Sequence, residues 1–321
     1  MASLDIREID AGPVGGWMLR CKGTSSPSAL RPDRPPLVIV PGYGMNAFIF
    51  GFHPRGTSME RCLAEAGFEV WSVNLRAQGP SREHGRADEP SLRAYAEEDL
   101  PAALEAILAH TRTTPGRVVL IGCSLGGSIA YAHLARVPTS PVAAVCTIGA
   151  PLRLEALHPA VRFAFGSPRL VELIRLRGAR KLAGLALPLV RHVPQLLSIY
   201  MNAAHVDLSA AAELVRTVED PVPRVNRDIA EWIASTDLVV GGTNVTDAMR
   251  SQRVPLLLVV SNRDGIVPER ATLSVRDVWA GPVEVLRVGD EDRWFAHADL
   301  FIADSAPERV FAPIARWAGG L

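Results

Sequence analysis

The chain has 321 residues, 48% of them hydrophobic and 21% charged, and its 34 basic residues balance 34 acidic ones. That length accommodates one large α/β domain with an insertion, while the balanced charge disfavours nucleic acid or an anionic membrane as main partner and leaves small molecules. Cys21, Cys62, Cys123 and Cys146 form no C-x-x-C pair, which speaks against a zinc site and a disulfide framework alike.

The opening, MASLDIREID, has acidic residues where a secretory leader carries a basic region and an apolar run, and no later apolar stretch is as long as a membrane span. A cytoplasmic protein without stable membrane insertion is therefore expected. After this short polar opening, Gly16 to Lys22 reads as a half-buried strand and the Pro/Ser-rich piece from Ser25 to Pro36 as a loop. Four short apolar, β-branched runs follow: LVIV (Leu37 to Val40), FEVWSVNL (Phe68 to Leu75), RVVLIG (Arg117 to Gly122) and VAAVCTIG (Val142 to Gly149). Runs of this kind suit strands buried on both faces of a parallel sheet. Between them, Ser91 to Thr111 has Leu92, Tyr95, Leu100, Leu104 and Leu108 near helical spacing behind a Ser91 cap. Alternation of strand and helix predicts an α/β fold, a mostly parallel sheet flanked by helices.

Alternation stops after Pro151 and resumes at VPLLLVVSNRD (Val254 to Asp264), followed by a helix from Pro268, a strand from Pro282 to Val288 and a helix near Pro307 to Trp317. The chain thus divides into a core, 1–151 and 251–321, and a helix-prone insertion, 152–250, without clear strands. Hinges are expected around Pro151 and at Gly241 to Gly242. Within the insertion, Arg169 to Leu197 is apolar and basic; it reads as an amphipathic helix packed on the core, or as the wall of an acyl tunnel with a basic mouth.

Chemistry concentrates at Gly122-Cys123-Ser124-Leu125-Gly126, a G-x-S-x-G directly after a strand and opening a helix-like stretch. That context is the one a nucleophile elbow needs, with glycines where side chains would strike neighbouring backbone. The competing reading, a glycine-rich turn of a nucleotide-binding fold, requires G-x-G-x-x-G or a P-loop lysine, and the spacing fits neither. Here the chain resembles the α/β-hydrolase superfamily, on both sides of the insertion. PGYGMNAF (Pro41 to Phe48) is similar to its oxyanion loop, with Pro41 in place of the usual His, and NLRAQGPS (Asn74 to Ser81) is similar to its D-x-R-G-H-G-x-S with departures at Asn74, Ala77 and Gln78. YAEEDLPAALEAI (Tyr95 to Ile107) resembles acid-lipase-like and polyhydroxyalkanoate-synthase-like members, although the synthases carry Cys where this chain has Ser124.

The resemblance implies Ser124 as nucleophile, Asp264 in SNRDGIVP as acid and His297 in WFAHADLF as base, with the backbone N–H groups of Tyr43 and Leu125 forming the oxyanion hole. Asp264 also reads as a simple Asp-Gly turn residue. Asp299, two residues beyond His297, is expected to reach solvent. Cys123 is expected to point away from the active face. His53, His84, His110, His133, His158, His192 and His205 show no metal-ligand spacing and read as surface or packing residues, His53 having a further prospect of substrate contact. The implied function is a serine hydrolase of carboxylic esters or thioesters with lipophilic acyl groups, requiring no cofactor and no metal; the sequence leaves oligomeric state open. An acyltransferase with an alcohol or amine acceptor would form the same acyl-enzyme, and a non-catalytic ligand-binding relative shares the fold.

Overall fold

The computed structural model describes residues 3–173, 177–190 and 198–321. Eleven strands are formed among them: β1 (Asp5–Val14), β2 (Trp17–Ser25), β3 (Leu37–Val40), β4 (Val70–Asn74), β5 (Arg82–Glu83), β6 (Val118–Cys123), β7 (Val142–Ile148), β8 (Val239–Val240), β9 (Thr243–Asn244), β10 (Leu256–Ser261) and β11 (Val283–Val288). The main sheet runs β1-β2-β4-β3-β6-β7-β10-β11, with the short β5 paired to β2. From β4 to β11 every neighbouring pair is parallel, whereas β2 is antiparallel to both β1 and β4.

Each predicted strand is present; β3, β4, β6 and β10 are buried along their whole length, whereas β11 at the sheet edge is largely only partly buried. Along β6, Val118 and Leu120 enter the core on one side of the sheet, while Val119, Ile121 and Cys123 enter the core on the other. The opening segment is the correction. It forms the ten-residue edge strand β1, where the sequence read only a short polar opening. One of its faces meets solvent, so its charges are spent across the strand pair, with Arg20 of β2 bridging Glu8 at 2.9 Å and Asp10 at 3.0 Å.

Behind the Ser91 cap, whose Oγ accepts the Ala94 N–H at 3.1 Å, the predicted helix runs from Leu92 to His110 with a π turn at Tyr95–Asp99. That turn helps present Asp99 inward, where it accepts from the fully buried Arg76 through Nε at 2.8 Å and Nη2 at 2.6 Å. The two motif segments singled out separately in the sequence therefore meet as one buried ion pair.

Between β7 and β10 the chain is mainly helical, including Pro159–Ala164, Pro168–Leu173, Ala179–Val190 and Pro223–Ser235. It also contains strands, which the sequence did not suggest. Gly241 and Gly242, expected as a hinge, have φ of +56° and +79° and form the turn of the β8–β9 hairpin. Buried Leu238 and Val240 anchor that hairpin to the core. The segment also contacts the loop after β3: Asn46 N–H donates to Thr217 O at 2.9 Å and Glu219 N–H to Gly44 O at 2.8 Å. No helix among the described residues is long and apolar enough to cross a membrane.

Candidate active site

Ser124 sits between β6 and the helix Leu125–Arg136 with φ +52° and ψ −124°, a conformation that residues with a Cβ rarely adopt. Its N–H donates to Ile148 O at 2.8 Å, and its carbonyl accepts from Gly127 N–H at 2.9 Å, so the strained residue is held from both sides. The flanking glycines are steric requirements. A Cβ on Gly122 would overlap the Gly127 backbone, and one on Gly126 would overlap the carbonyl oxygens of Val40 and Pro41. Cys123 lies on the opposite side of the strand, wholly buried beside Cys146, and burial pushes its thiol well above its ordinary range.

Asp264 follows β10. Its Oδ1 accepts from the N–H groups of Ile266 at 2.8 Å and Val267 at 2.7 Å, and its Oδ2 accepts from His297 Nδ1–H at 2.6 Å. Both side chains are buried. With a carboxylate oxygen as acceptor, the ring nitrogen Nδ1 is the donor of this hydrogen bond. Close packing sets the pair: at Gly149, after β7, a Cβ would stand 3.2 Å from His297 Cε1 and 3.4 Å from Asp264 Oδ2. The Tyr200 ring lies 6.2 Å from the His297 ring, tilted by 39°.

Ser124, His297 and Tyr43 line one cavity of about 530 Å³. Its remaining walls include Met45, Ile49, Phe165, Met201, Leu214, Ile266 and Phe301, and among its described lining residues there is no Asp, Glu, Lys or Arg. The Tyr43 loop lies directly on the elbow, since a Cβ at Gly42 would come within 2.9 Å of Ser124 Cβ and of Cys123 O. Tyr43 is further tied to the helix Pro223–Ser235, its hydroxyl donating to Asn226 Oδ1 at 2.6 Å. Leu125 is the first residue of its helix, where a backbone N–H has no intrahelical acceptor and the helix dipole favours negative charge.

One sequence expectation fails, that of Asp299, while His53 takes the packing role rather than the further prospect of substrate contact. His53 does not line this cavity: its Nε2–H donates to Ala303 O at 3.0 Å and its Nδ1 accepts from Gly56 N–H at 2.6 Å, making it a packing residue whose basicity burial lowers. Asp299 does not reach solvent. It is 1% exposed and accepts from Ala296 N–H at 2.7 Å and Asn202 N–H at 2.9 Å; burial pushes its carboxyl up to about 6. Sequence reasoning also passed over Tyr200 and Asn202, which adjoin the site only through tertiary contact. His192 lies outside the described residues.

The family model of the α/β hydrolase fold matches residues 35–190. A search of curated proteins finds no match to the chain. Among solved structures, the chain is similar to the esterase RhEst1 from a Rhodococcus species, at 18% identity and a TM-score of 0.61 over 98% of this chain and 99% of that one. It is also similar to a lipase-esterase related protein from Clostridium acetobutylicum, at 14% identity and a TM-score of 0.57 over 99% of each chain. A third likeness is to a meta-cleavage product hydrolase from Pseudomonas fluorescens, at 11% identity and a TM-score of 0.58 over 97% of this chain and 98% of that one. At these identities the likeness is one of fold. With its parallel sheet order, its Ser-bearing turn after β6 and the match of the family model over that same region, the chain has the α/β-hydrolase fold.

Proposed function

We propose that the protein is a serine hydrolase of carboxylic esters with uncharged, lipophilic acyl groups, acting through an acyl-enzyme on Ser124. The observation that carries this reading is the His297–Asp264 hydrogen bond at 2.6 Å at the wall of an apolar cavity that Ser124 shares. In the proposed reaction, His297 Nε2 takes the Ser124 hydroxyl proton as Oγ attacks the acyl carbonyl. Asp264 holds the Nδ1–H tautomer and stabilises the imidazolium. The N–H groups of Tyr43 and Leu125 stabilise the oxyanion, and the tetrahedral intermediate expels the alcohol as His297 returns the proton to it. Water then enters, gives a proton to His297 and attacks the acyl-enzyme, releasing the acid and restoring Ser124. Residues 152–250 act in this reading as a cap that excludes water and contributes Phe165, Met201 and Leu214 to the acyl wall. The names of the Rhodococcus esterase and the Clostridium lipase-esterase related protein are consistent with this class of reaction.

A fluorophosphonate probe is expected to label Ser124 covalently, and Ser124→Ala to abolish both labelling and turnover of p-nitrophenyl butyrate. Adduct mapping by mass spectrometry decides the matter; a label elsewhere, or turnover surviving in Ser124→Ala, removes the reading.

A further inference from the structure

The segment Ile199–Asn202 belongs to the proposed cap, yet it hydrogen-bonds to the two loops that carry Asp264 and His297. Gly265 N–H, next to Asp264, donates to Ile199 O at 3.1 Å; Ala298 N–H, next to His297, donates to Tyr200 O at 2.8 Å. Asn202 N–H donates to the Asp299 carboxylate, at 3.0 Å to Oδ1 and 2.9 Å to Oδ2, and Asn202 Nδ2–H donates to Trp294 O at 3.0 Å. Asp299 accepts also from Ala296 N–H at 2.7 Å, so one buried carboxylate ties the residue before His297 to the cap segment. On the other loop the approach is so close that a Cβ on Gly265 would stand 2.8 Å from Ile199 Cα and from its carbonyl oxygen.

We infer that Ile199–Asn202 is a strap that sets the alignment of His297 with Asp264, and that Asp299 is a positioning residue clamping the strap to the His297 loop. The inference rests on the proposed triad. A carboxylate buried without a cationic partner costs stability unless its lone pairs are filled. Asp299 takes two backbone N–H donors, Asn202 and Ala296, from segments far apart in sequence, an arrangement that aligns those segments. Tyr200, carried by the strap, lies beside the His297 ring. Displacement of the strap therefore reaches the base through three connections: the Ala298 hydrogen bond, the Asp299 clamp and the Tyr200 ring.

Two variants test this by different physical routes. In Asp299→Asn one acceptor oxygen becomes an amide NH2 facing a backbone donor, so the clamp loses a bond while side-chain volume is kept. Gly265→Ala pushes Ile199 away and removes neither a charge nor a polar side chain. Each folded variant is expected to lose about 10- to 100-fold in kcat, with KM for a short-chain ester changing less than about twofold, as misplacement of a base by a fraction of an ångström does. The rate of fluorophosphonate labelling is expected to fall by a similar factor. A role confined to stability would leave one signature intact, the far-downfield proton resonance of the His297–Asp264 hydrogen bond, which is expected to weaken or broaden in both variants. If Asp299→Asn does not fold, Gly265→Ala decides. Unchanged kcat and an unchanged resonance, or a raised KM with normal kcat, overturn the strap. A wild-type enzyme that neither turns over esters nor takes the probe overturns the triad reading instead, so the two failures are distinguishable.

Discussion

Two aspartates stand close to His297 in space, and their environments assign them different work. Asp264 has one oxygen committed to Ile266 and Val267 N–H groups and the other to the imidazole, while Asp299 has its bonds to backbone alone. Asp264→Asn would turn an amide N–H2 or a flipped tautomer toward the ring; kcat is expected to fall by about three to four orders of magnitude with little change in KM. Steady-state kinetics on a variant shown folded by thermal melting checks this, and near-normal turnover would remove Asp264 from the acid role. The expected loss is larger than in Asp299→Asn because one change alters the base itself and the other its support. Cys123 gives the opposite expectation. Its thiol is buried with Val119, Ile121 and Cys146 on the far side of β6, so Cys123→Ala is expected to keep kcat within about twofold and lower stability by about 1 kcal/mol through lost packing. Loss of activity comparable to Ser124→Ala would revive a thiol mechanism.

The turn from β6 into the helix Leu125–Arg136 combines a strained serine with glycines that have no room for a methyl group. The same helix carries a titratable group into the core. His133 is wholly buried, donating from Nδ1 to Ala96 O of the π turn at 2.9 Å and accepting at Nε2 from Ser140 Oγ at 2.7 Å. Burial lowers its pKa from 6.5 to about 4. Between those values the unfolded chain binds a proton that the folded chain refuses, so stability is full above the unfolded value and falls as pH drops through the window. The His133 contribution to this loss is on the order of 3 kcal/mol by pH 4. His133→Gln, which can retain a donor and an acceptor, is expected to flatten the acid side of a stability-against-pH curve measured by urea unfolding. Equal slopes in the two proteins between pH 6.5 and pH 4 would show that His133 does not carry it.

Across the molecule the cavity is assembled from five places in the chain: the loop after β3, the Ser124 turn after β6, the segment between β7 and β10, the loop after β10 at Ile266, and the residues from His297 to Ile302. Its uncharged walls make a prediction about substrate. With each buried methylene adding up to about 0.8 kcal/mol, kcat/KM is expected to rise by up to about fourfold per methylene along a series of p-nitrophenyl esters from acetate, until the cavity is filled. A monoester of a dicarboxylic acid is expected to be turned over poorly, because nothing charged in the described wall would meet its second carboxylate. A preference for acetate or for the charged ester would contradict the lipophilic assignment while leaving the proposed triad in place.

The buried parallel strands and the Ser124 turn were legible from sequence because each is a local matter: a run of apolar residues, or glycines at fixed offsets beside a serine; Asp264 and His297 were reached only through the resemblance to the α/β-hydrolase superfamily. The edge strand β1 was not legible, since its charges read as a solvated opening segment until Arg20 is brought opposite Glu8 and Asp10. Nor was the β8–β9 hairpin, because two-residue strands have too short a pattern to stand out from the Gly241–Gly242 turn. The meeting of Arg76 with Asp99, the burial of Asp299 and the strap that ends at Asn202 depend on pairs 23 and 97 residues apart. A single residue type carries no sign of such pairings. Whether an aspartate near a histidine faces water, turns a loop or clamps a cap is decided by which backbone N–H groups the packed core brings within reach of its oxygens, and that is a property of the tertiary structure alone.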